Sequence, residues 1–153
     1  MAVSMSQIKK LRAVTGAGVM DAKRALEEAK GDLKKAEAWI AKKGVMKAAK
    51  KTDRKTAEGI VYCYVHHDGK SGAMIELLCE TDFVARNSDF KKLAHELAMQ
   101  VTSMNPKNVN EFLKQEYIRD PKKKIKDLID ETVGKIGENI KLSRLTRYKL
   151  GDK

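Results

Sequence analysis

Aromatic residues, cysteine and proline are scarce in this 153-residue chain. Phe, Tyr and Trp together make up 5% of it, and it contains two cysteines and two prolines. Two cysteines are too few for a disulfide framework, and no apolar run approaches the ~18 residues of a membrane-spanning helix. The first ten residues show no apolar stretch typical of a secretion signal. These absences predict a cytoplasmic protein that does not use a membrane.

Sequence patterns for catalysis and cofactor binding are also lacking. His66, His67 and Asp68 have no second cluster of ligands at the spacing of a metal site. The glycines of residues 15–18 come without the lysine and the spacing of a P-loop, so they predict a tight turn between helices. His95 is predicted to lie at the rim of the core. The chain is therefore predicted to be no enzyme and to bind no metal and no cofactor.

Positive charge is what the sequence has in excess. Lys and Arg number 32 against 21 Asp and Glu, which gives a formal net charge of +11 and suggests an acidic partner. Residues 42–55 contain seven of the basic residues and one acid. This segment is predicted to be an exposed, partly helical linker, and the alternative is a segment that follows phosphates. Because no RNA-stacking signature accompanies the charge, we predict no specific nucleic-acid binding.

Residues 1–44 have the pattern of three short helices. Ser4 and Gln7 have the spacing of a capping box, Asp32 is a candidate cap for the third helix, and Gly44 is predicted to end that helix. Helices this short are not stable alone, so we predict that they pack into one compact module. The predicted inner faces consist of Ile8, Leu11, Val14, Ala22, Ala25, Leu26, Ala29, Leu33, Ala36, Trp39 and Ile40.

An alternating pattern begins near residue 59 and predicts strands. Two strands, around 59–65 and 73–80, are joined by a turn that contains Asp-Gly, which is a strong hairpin signal. A last strand is predicted around 140–150, with a bulge near Leu145. The cysteines, Cys63 and Cys79, alternate with the aliphatic residues, so both are expected to be buried, reduced thiols.

Two longer helices complete the predicted fold. One follows a cap at Asn87 or Ser88 and buries Phe90, Leu93, Leu97, Val101 and Met104, and the other opens at Asp120-Pro121 and buries Ile125, Leu128, Ile129, Val133 and Ile136. The predicted class is α+β. It has a three-helix module at 1–44, a basic linker at 45–58 and, at 59–153, a core domain in which about three antiparallel strands pack with helices.

The loop between the second strand and the next helix allows two interpretations. In the first, Asp82 is a turn or cap residue and Phe83 packs in the core beneath the loop. In the second, the acid and the rigid aromatic are presented to a partner, since such a side chain gives a large contact area at little entropy cost. The pattern alone leaves both open.

Three segments, in chain order, resemble the signatures of the elongation factor Ts family. The first includes Thr-Gly-Ala-Gly-Val-Met-Asp-Ala-Lys at 15–23, the second is Cys-Glu-Thr-Asp-Phe-Val-Ala-Arg-Asn at 79–87, and the third is Lys-Ile-Gly-Glu-Asn at 135–139. Together they extend over nearly the whole chain. The resemblance implies a guanine-nucleotide exchange factor for elongation factor Tu, the GTPase that delivers aminoacyl-tRNA to the ribosome.

The resemblance also implies two sets of contact residues. The helical module of the family resembles a ubiquitin-associated domain that docks on the nucleotide domain of the partner, and the loop displaces the partner's magnesium ion. Phe83 would be inserted into the partner, and Asp82 would help hold the altered loop. By position, the docking residues are Arg12, Val19, Met20 and Lys23, and the loop residues are Thr81, Asp82, Phe83 and Val84.

The chain also departs from the longer members of the family. Those members carry a second core half and a helical excursion, whereas about thirty residues separate Met104 from Lys135 here. Short members pair, so the resemblance implies a homodimer, and the last strand has no cysteine for a disulfide between the copies. Two other hypotheses remain. One is an RNA-binding accessory protein that depends on residues 42–55, and the other is an adaptor that binds through residues 1–50 alone.

Overall fold

The computed structural model describes residues 3–153 and has the predicted α+β fold. A module of three helices is followed by a three-stranded antiparallel sheet, which helices cover on one face. The helices within residues 3–153 are α1 (Met5–Thr15), α2 (Val19–Glu28), α3 (Leu33–Ala49), α4 (Asp82–Ala85), α5 (Ser88–Met104), α6 (Val109–Lys114) and α7 (Ile125–Ile136). The strands of the same part of the chain are β1 (Glu58–Val65), β2 (Ser71–Cys79), β3 (Glu116–Tyr117), β4 (Asp120–Lys124) and β5 (Lys141–Lys149).

Local hydrogen bonds define the ends of the first three helices as the sequence predicts. Ser4 and Gln7 form the capping box, in which the Gln7 amide donates to Ser4 Oγ at 3.2 Å and the Ser4 amide donates to Gln7 Oε1 at 3.1 Å. Asp32 caps α3 by accepting from the Lys35 amide at 3.1 Å. The fully buried residues of this module are Ile8, Leu11, Ala22, Ala25, Leu26 and Ala36.

Helix α3 does not end at Gly44 but continues to Ala49, so that prediction is wrong. Gly44 is buried against Gly134 of α7, and a Cβ atom built on Gly134 would lie only 2.7 Å from Gly44 Cα. The close approach of the two backbones buries α3 against the core. This packing outweighs the ~1 kcal/mol by which glycine disfavours a helix interior. The division of the chain at residue 44 stays a prediction, with α3 passing through it.

The two glycines of this contact are expected to respond differently to alanine. Gly134→Ala introduces a methyl group where the α3 backbone already lies, so we expect a net loss of about 1–2 kcal/mol in the free energy of unfolding. Gly44→Ala places its methyl group 3.7 Å from the nearest atoms of Asp130 and Glu131, which is ordinary contact. Because alanine is the better helix former, that variant is expected to be neutral or up to ~1 kcal/mol more stable. Urea unfolding of both variants tests this, and equal destabilisation would contradict the asymmetry.

The sheet has the strand order β1-β2-β5, with both pairs antiparallel. Its β1–β2 hairpin is the predicted one, and Gly69 adopts a positive φ of 69° in the turn. The predicted bulge in the last strand is present but lies at Ser143, because Glu76 pairs with Arg144 while the next residue of β2 pairs with Leu142.

One face of the sheet packs on helix α5. Tyr62 lies on this inner face, and its hydroxyl is 3.0 Å from His95 Nδ1 of α5. Cys63 therefore points to the opposite, outer face and is exposed, so its predicted burial is wrong, whereas Cys79 is buried as predicted. The predicted stripe of α5 is buried except for Met104, which is half-exposed at the end of the helix.

The helix predicted to open at Asp120-Pro121 begins instead at Ile125. Residues 120–124 form β4, which pairs with β3 in a two-stranded hairpin. Side chains of α5 fix this hairpin: for example, the Tyr117 hydroxyl donates to Glu96 Oε2 at 2.6 Å, and the Ile118 amide donates to Gln100 Oε1 at 3.0 Å. Strand pairing and these distant contacts override the local cap-and-proline signal.

Candidate partner-binding site

The loop after β2 is held in a single capped turn. Thr81 is the N-cap of α4 and accepts a hydrogen bond from the Val84 amide at 3.4 Å. Asp82 forms an ion pair with Arg86 at 2.8 Å on the solvent side of the turn. Val84 and Ala85 face inward against the core. The four predicted loop residues therefore lie together on one short element with an inner and an outer side.

Phe83 occupies the outer side of this turn. Its side chain is 82% exposed, which is the largest exposure of any large hydrophobic residue in the described part of the chain. The interpretation that Phe83 packs in the core beneath the loop is therefore wrong. Since an exposed aromatic on a capped turn loses little conformational entropy on binding, this geometry is typical of an anchor for a partner.

The neighbouring thiol has a structural role. Cys79 Sγ donates to the Thr81 carbonyl at 3.2 Å, and burial, with Glu138 nearby, raises the pKa of the Cys79 thiol to about 11. The thiol is therefore protonated at neutral pH, and it helps to hold the loop as a donor rather than acting as a nucleophile.

A second surface is formed where α1 turns into α2. The side chains of Arg12, Val19, Met20 and Lys23 are all exposed there, and Met20 is 69% exposed. The Arg12 guanidinium donates to the Ala17 carbonyl at 3.1 Å and so braces the turn. The structure therefore brings the predicted docking residues together on one helical turn and the start of the next helix. We call this surface, with Val14, the docking patch.

Val14 is the member of the docking patch that the sequence pattern missed. Its position in the helical period predicts burial with Ile8 and Leu11, yet Val14 is 71% exposed. It lies at the last turn of α1, where the chain bends away towards α2 and leaves that side uncovered. An apolar side chain that a helix end leaves exposed adds to the apolar area available to a partner.

Ion pairs fix the docking patch relative to α3. The Asp21 carboxylate accepts from Lys43 Nζ at 2.6 Å and from Lys47 Nζ at 2.8 Å. These two hydrogen bonds, Lys43 first, hold the pKa of Asp21 below its usual value. Helix α2 therefore presents Met20 to solvent, and the next residue, Asp21, anchors α2 to α3.

The basic segment at 42–55 is largely engaged within the molecule. Besides the two lysines bound to Asp21, Lys51 Nζ donates to the Gly137 carbonyl at 2.6 Å, and Arg54 pairs with Glu80 at 3.6 Å. Four of its seven basic side chains thus have internal partners. This favours the structural connector over a segment that follows phosphates.

Neither a membrane span nor a metal site is found in residues 3–153. None of their helices is long and apolar enough to cross a membrane. They also contain no group of three or more His, Cys, Asp or Glu side chains arranged to hold a metal ion.

The sequence of the chain is similar to those of known proteins. Residues 80–153 match the model of the family described as "Elongation factor TS". A protein named Elongation factor Ts from Thermotoga neapolitana is 42% identical over 195 aligned positions, which cover 99% of each chain. Its namesake from Aquifex aeolicus is 51% identical over 157 positions, which cover 99% of this chain and 54% of the relative. The chain belongs to the elongation factor Ts family.

Proposed function

We propose that the chain is a guanine-nucleotide exchange factor for elongation factor Tu and acts in the cytoplasm. In this proposal the three-helix module is a ubiquitin-associated-like unit that docks through the docking patch. The Phe83 loop then enters the partner's nucleotide site and displaces its magnesium ion. The observation that carries the proposal is the 82% exposure of Phe83 on a capped turn whose other side is buried.

The physical basis of the activity is linkage. GDP is held by magnesium and by backbone donors around its phosphates. A protein that binds best to the state with weakened nucleotide contacts must lower nucleotide affinity by the same factor. A thousandfold faster release requires about 4 kcal/mol of preference for that state. An inserted aromatic ring together with a docked helical surface is of the size to supply it, and no bond is made or broken.

The test is the release rate of a fluorescent GDP analogue from elongation factor Tu in stopped flow. We expect the rate to rise with the concentration of this chain and to reach a plateau at least a hundredfold above spontaneous release, which corresponds to ~2.7 kcal/mol. Folded protein that leaves the rate unchanged would refute exchange activity. If it also bound RNA with a steep salt dependence, the RNA-binding alternative would replace the proposal.

We further propose that the chain forms a homodimer through the outer face of its sheet. This face carries apolar side chains on all three strands beside the Glu76–Arg144 ion pair, and α5 covers the opposite face. The Aquifex relative extends well beyond the matched region, whereas the Thermotoga relative is matched over 99% of its own length. In a family member without the additional region, a second copy of the chain can cover the outer sheet face. A two-fold axis brings the same face of both copies together. The outer-face residues proposed for this interface, apart from the Glu76–Arg144 pair, are Val61, Cys63, Val65, Met74, Thr146 and Tyr148.

Sedimentation measurements test the dimer. We expect a mass twice the 17.2 kDa of one chain, and we expect Met74→Glu to give the monomer because it would bury a charge at the centre of the interface. Met104→Glu places the same charge on a half-exposed methionine at the end of α5 and is the matched control. A wild-type monomer at all concentrations, or a Met74→Glu dimer, would contradict the proposal.

A further inference from the structure

Glu138, which follows α7, accepts hydrogen bonds from the residues that immediately precede Asp82 and Phe83, although they are more than fifty positions earlier in the chain. Its Oε2 accepts from the Glu80 amide at 3.2 Å and from the Thr81 amide at 3.1 Å, and its Oε1 accepts from the Thr81 hydroxyl at 2.7 Å. One half-buried carboxylate thus receives three hydrogen bonds from two consecutive loop residues. Hydrogen bonds to an ionised acceptor are roughly twice as strong as those between neutral groups.

The connection is reciprocal. Glu80 Oε1 accepts from the Asn139 amide at 2.7 Å, so each segment offers a carboxylate to the backbone of the other. The Asn139 side chain also donates to the carbonyls of Thr52 at 3.3 Å and Arg54 at 2.9 Å. The turn at 137–139 is therefore bound both to the loop that carries Phe83 and to the segment that leaves α3.

The Thr81 hydroxyl transmits this contact to the aromatic residue. It donates to Glu138 and accepts from the Val84 amide, so Glu138, Thr81 and the first turn of α4 form one chain of hydrogen bonds. Helix α4 has four residues and cannot be stable by itself. The direction of Phe83 therefore depends on how Thr81 is held, and Glu138 and Cys79 hold it.

We propose that Glu138 is a positioning residue for exchange: it fixes Thr81 and thereby the direction in which Phe83 is presented to the partner. The inference rests on the proposed exchange activity and adds a residue to it. Glu138 acts through Thr81 without needing to touch the partner. Its loss is expected to lower the release rate at saturating concentration, because the loop samples directions that do not enter the nucleotide site. The docking patch is unaffected, so the half-saturating concentration stays unchanged.

The test compares Glu138→Ala with Glu96→Ala. Glu96 is the matched control because it is also a half-buried carboxylate, and it fixes a distant segment, through Tyr117 and Arg119, away from the loop. We expect Glu138→Ala to lower the saturating GDP-release rate about tenfold, which is ~1.4 kcal/mol, with half-saturation within twofold of wild type. Glu96→Ala is expected to lower the melting temperature by about as much as Glu138→Ala does, but to leave the GDP-release rate unchanged. Glu138→Gln, which keeps one acceptor oxygen, is expected to recover part of the rate.

A second variant separates positioning from general destabilisation. Thr81→Val removes the hydroxyl but keeps the side-chain shape, and the double variant with Glu138→Ala is expected to be no slower than the slower single variant. Additive rate losses, or a Glu138→Ala rate equal to wild type, would overturn the role of Glu138 while leaving exchange by the wild type in place. A wild-type protein that does not accelerate release would refute the exchange proposal itself.

Discussion

Phe83→Ala is expected to slow GDP release from saturated elongation factor Tu by roughly 30- to 100-fold, equivalent to ~2–3 kcal/mol. The ring is 82% exposed in the free protein, so its removal costs little of the folding free energy. What is lost is contact area available only in the complex. Because the proposed contact forms as the nucleotide site opens, the plateau rate falls while the half-saturating concentration changes little. Stopped-flow titration with the fluorescent GDP analogue measures both quantities.

Met104→Ala is the control for this experiment. Met104 is also an exposed apolar side chain, but it lies at the end of α5, outside the loop, the docking patch and the outer sheet face. We expect Met104→Ala to accelerate GDP release from elongation factor Tu as much as the wild-type chain does. If Phe83→Ala also retained the wild-type plateau, exchange activity would stand but Phe83 would not be the residue that opens the nucleotide site.

The features predicted correctly from sequence are those set by neighbouring residues. Caps at Ser4 and Asp32 depend on hydrogen bonds across three residues. The hairpin turn depends on the residues that form it, including Gly69 with its positive φ. The number of long strands follows from this hairpin together with the single remaining long alternating segment, whereas the pairing of β5 with β2 is seen only in the structure. Such local signals identify most of the elements, and contacts between distant residues decide how the strands are ordered.

The wrong predictions concern contacts between distant parts of the chain. Gly44 has the local signature of a helix end, but Gly134, ninety residues away, gives it a packing role. Cys63 lies in an apolar alternating pattern in which either face could be buried, and only the position of α5 selects the tyrosine side. Asp120 precedes a proline as a helix cap does, yet β3 recruits it into a hairpin. Periodicity shows which residues share one face of a helix or strand, but it does not show which other element packs against that face.

The residues of the candidate site also fall into those expected from the sequence and those recognised only in the structure. The residue pattern leaves partner contact open for Phe83, the family resemblance implies it for Phe83 and Met20, and both side chains are exposed. The exposure of Val14, which the helical period assigns to the core, is not predictable from the sequence pattern, and neither are the hydrogen bonds of Glu138 to residues 57 and 58 positions earlier. A signal for Glu138 existed in the third family segment, but its partner in the second segment became visible only in the fold.

Met20→Glu is expected to produce the opposite kinetic change from Phe83→Ala. Met20 is 69% exposed in the docking patch, and a carboxylate there would replace an apolar contact with a charged group that must be desolvated against the partner. We expect the half-saturating concentration to rise at least about thirtyfold, or ~2 kcal/mol, while the plateau rate of GDP release is retained. Stability is expected to be nearly unchanged, as for other exposed positions.

Met5→Glu provides a matched control within the same module. Met5 is 64% exposed at the first turn of α1, whereas the docking patch lies at the other end of that helix, about 13 Å away at 1.5 Å per residue. The control adds the same charge to the same module and is expected to leave half-saturation unchanged. If Met20→Glu lowered the plateau instead, docking and nucleotide release would not be separate functions of two surfaces. If neither variant changed half-saturation, the partner would bind elsewhere, and the assignment of Arg12, Val19, Met20 and Lys23 would fail with it.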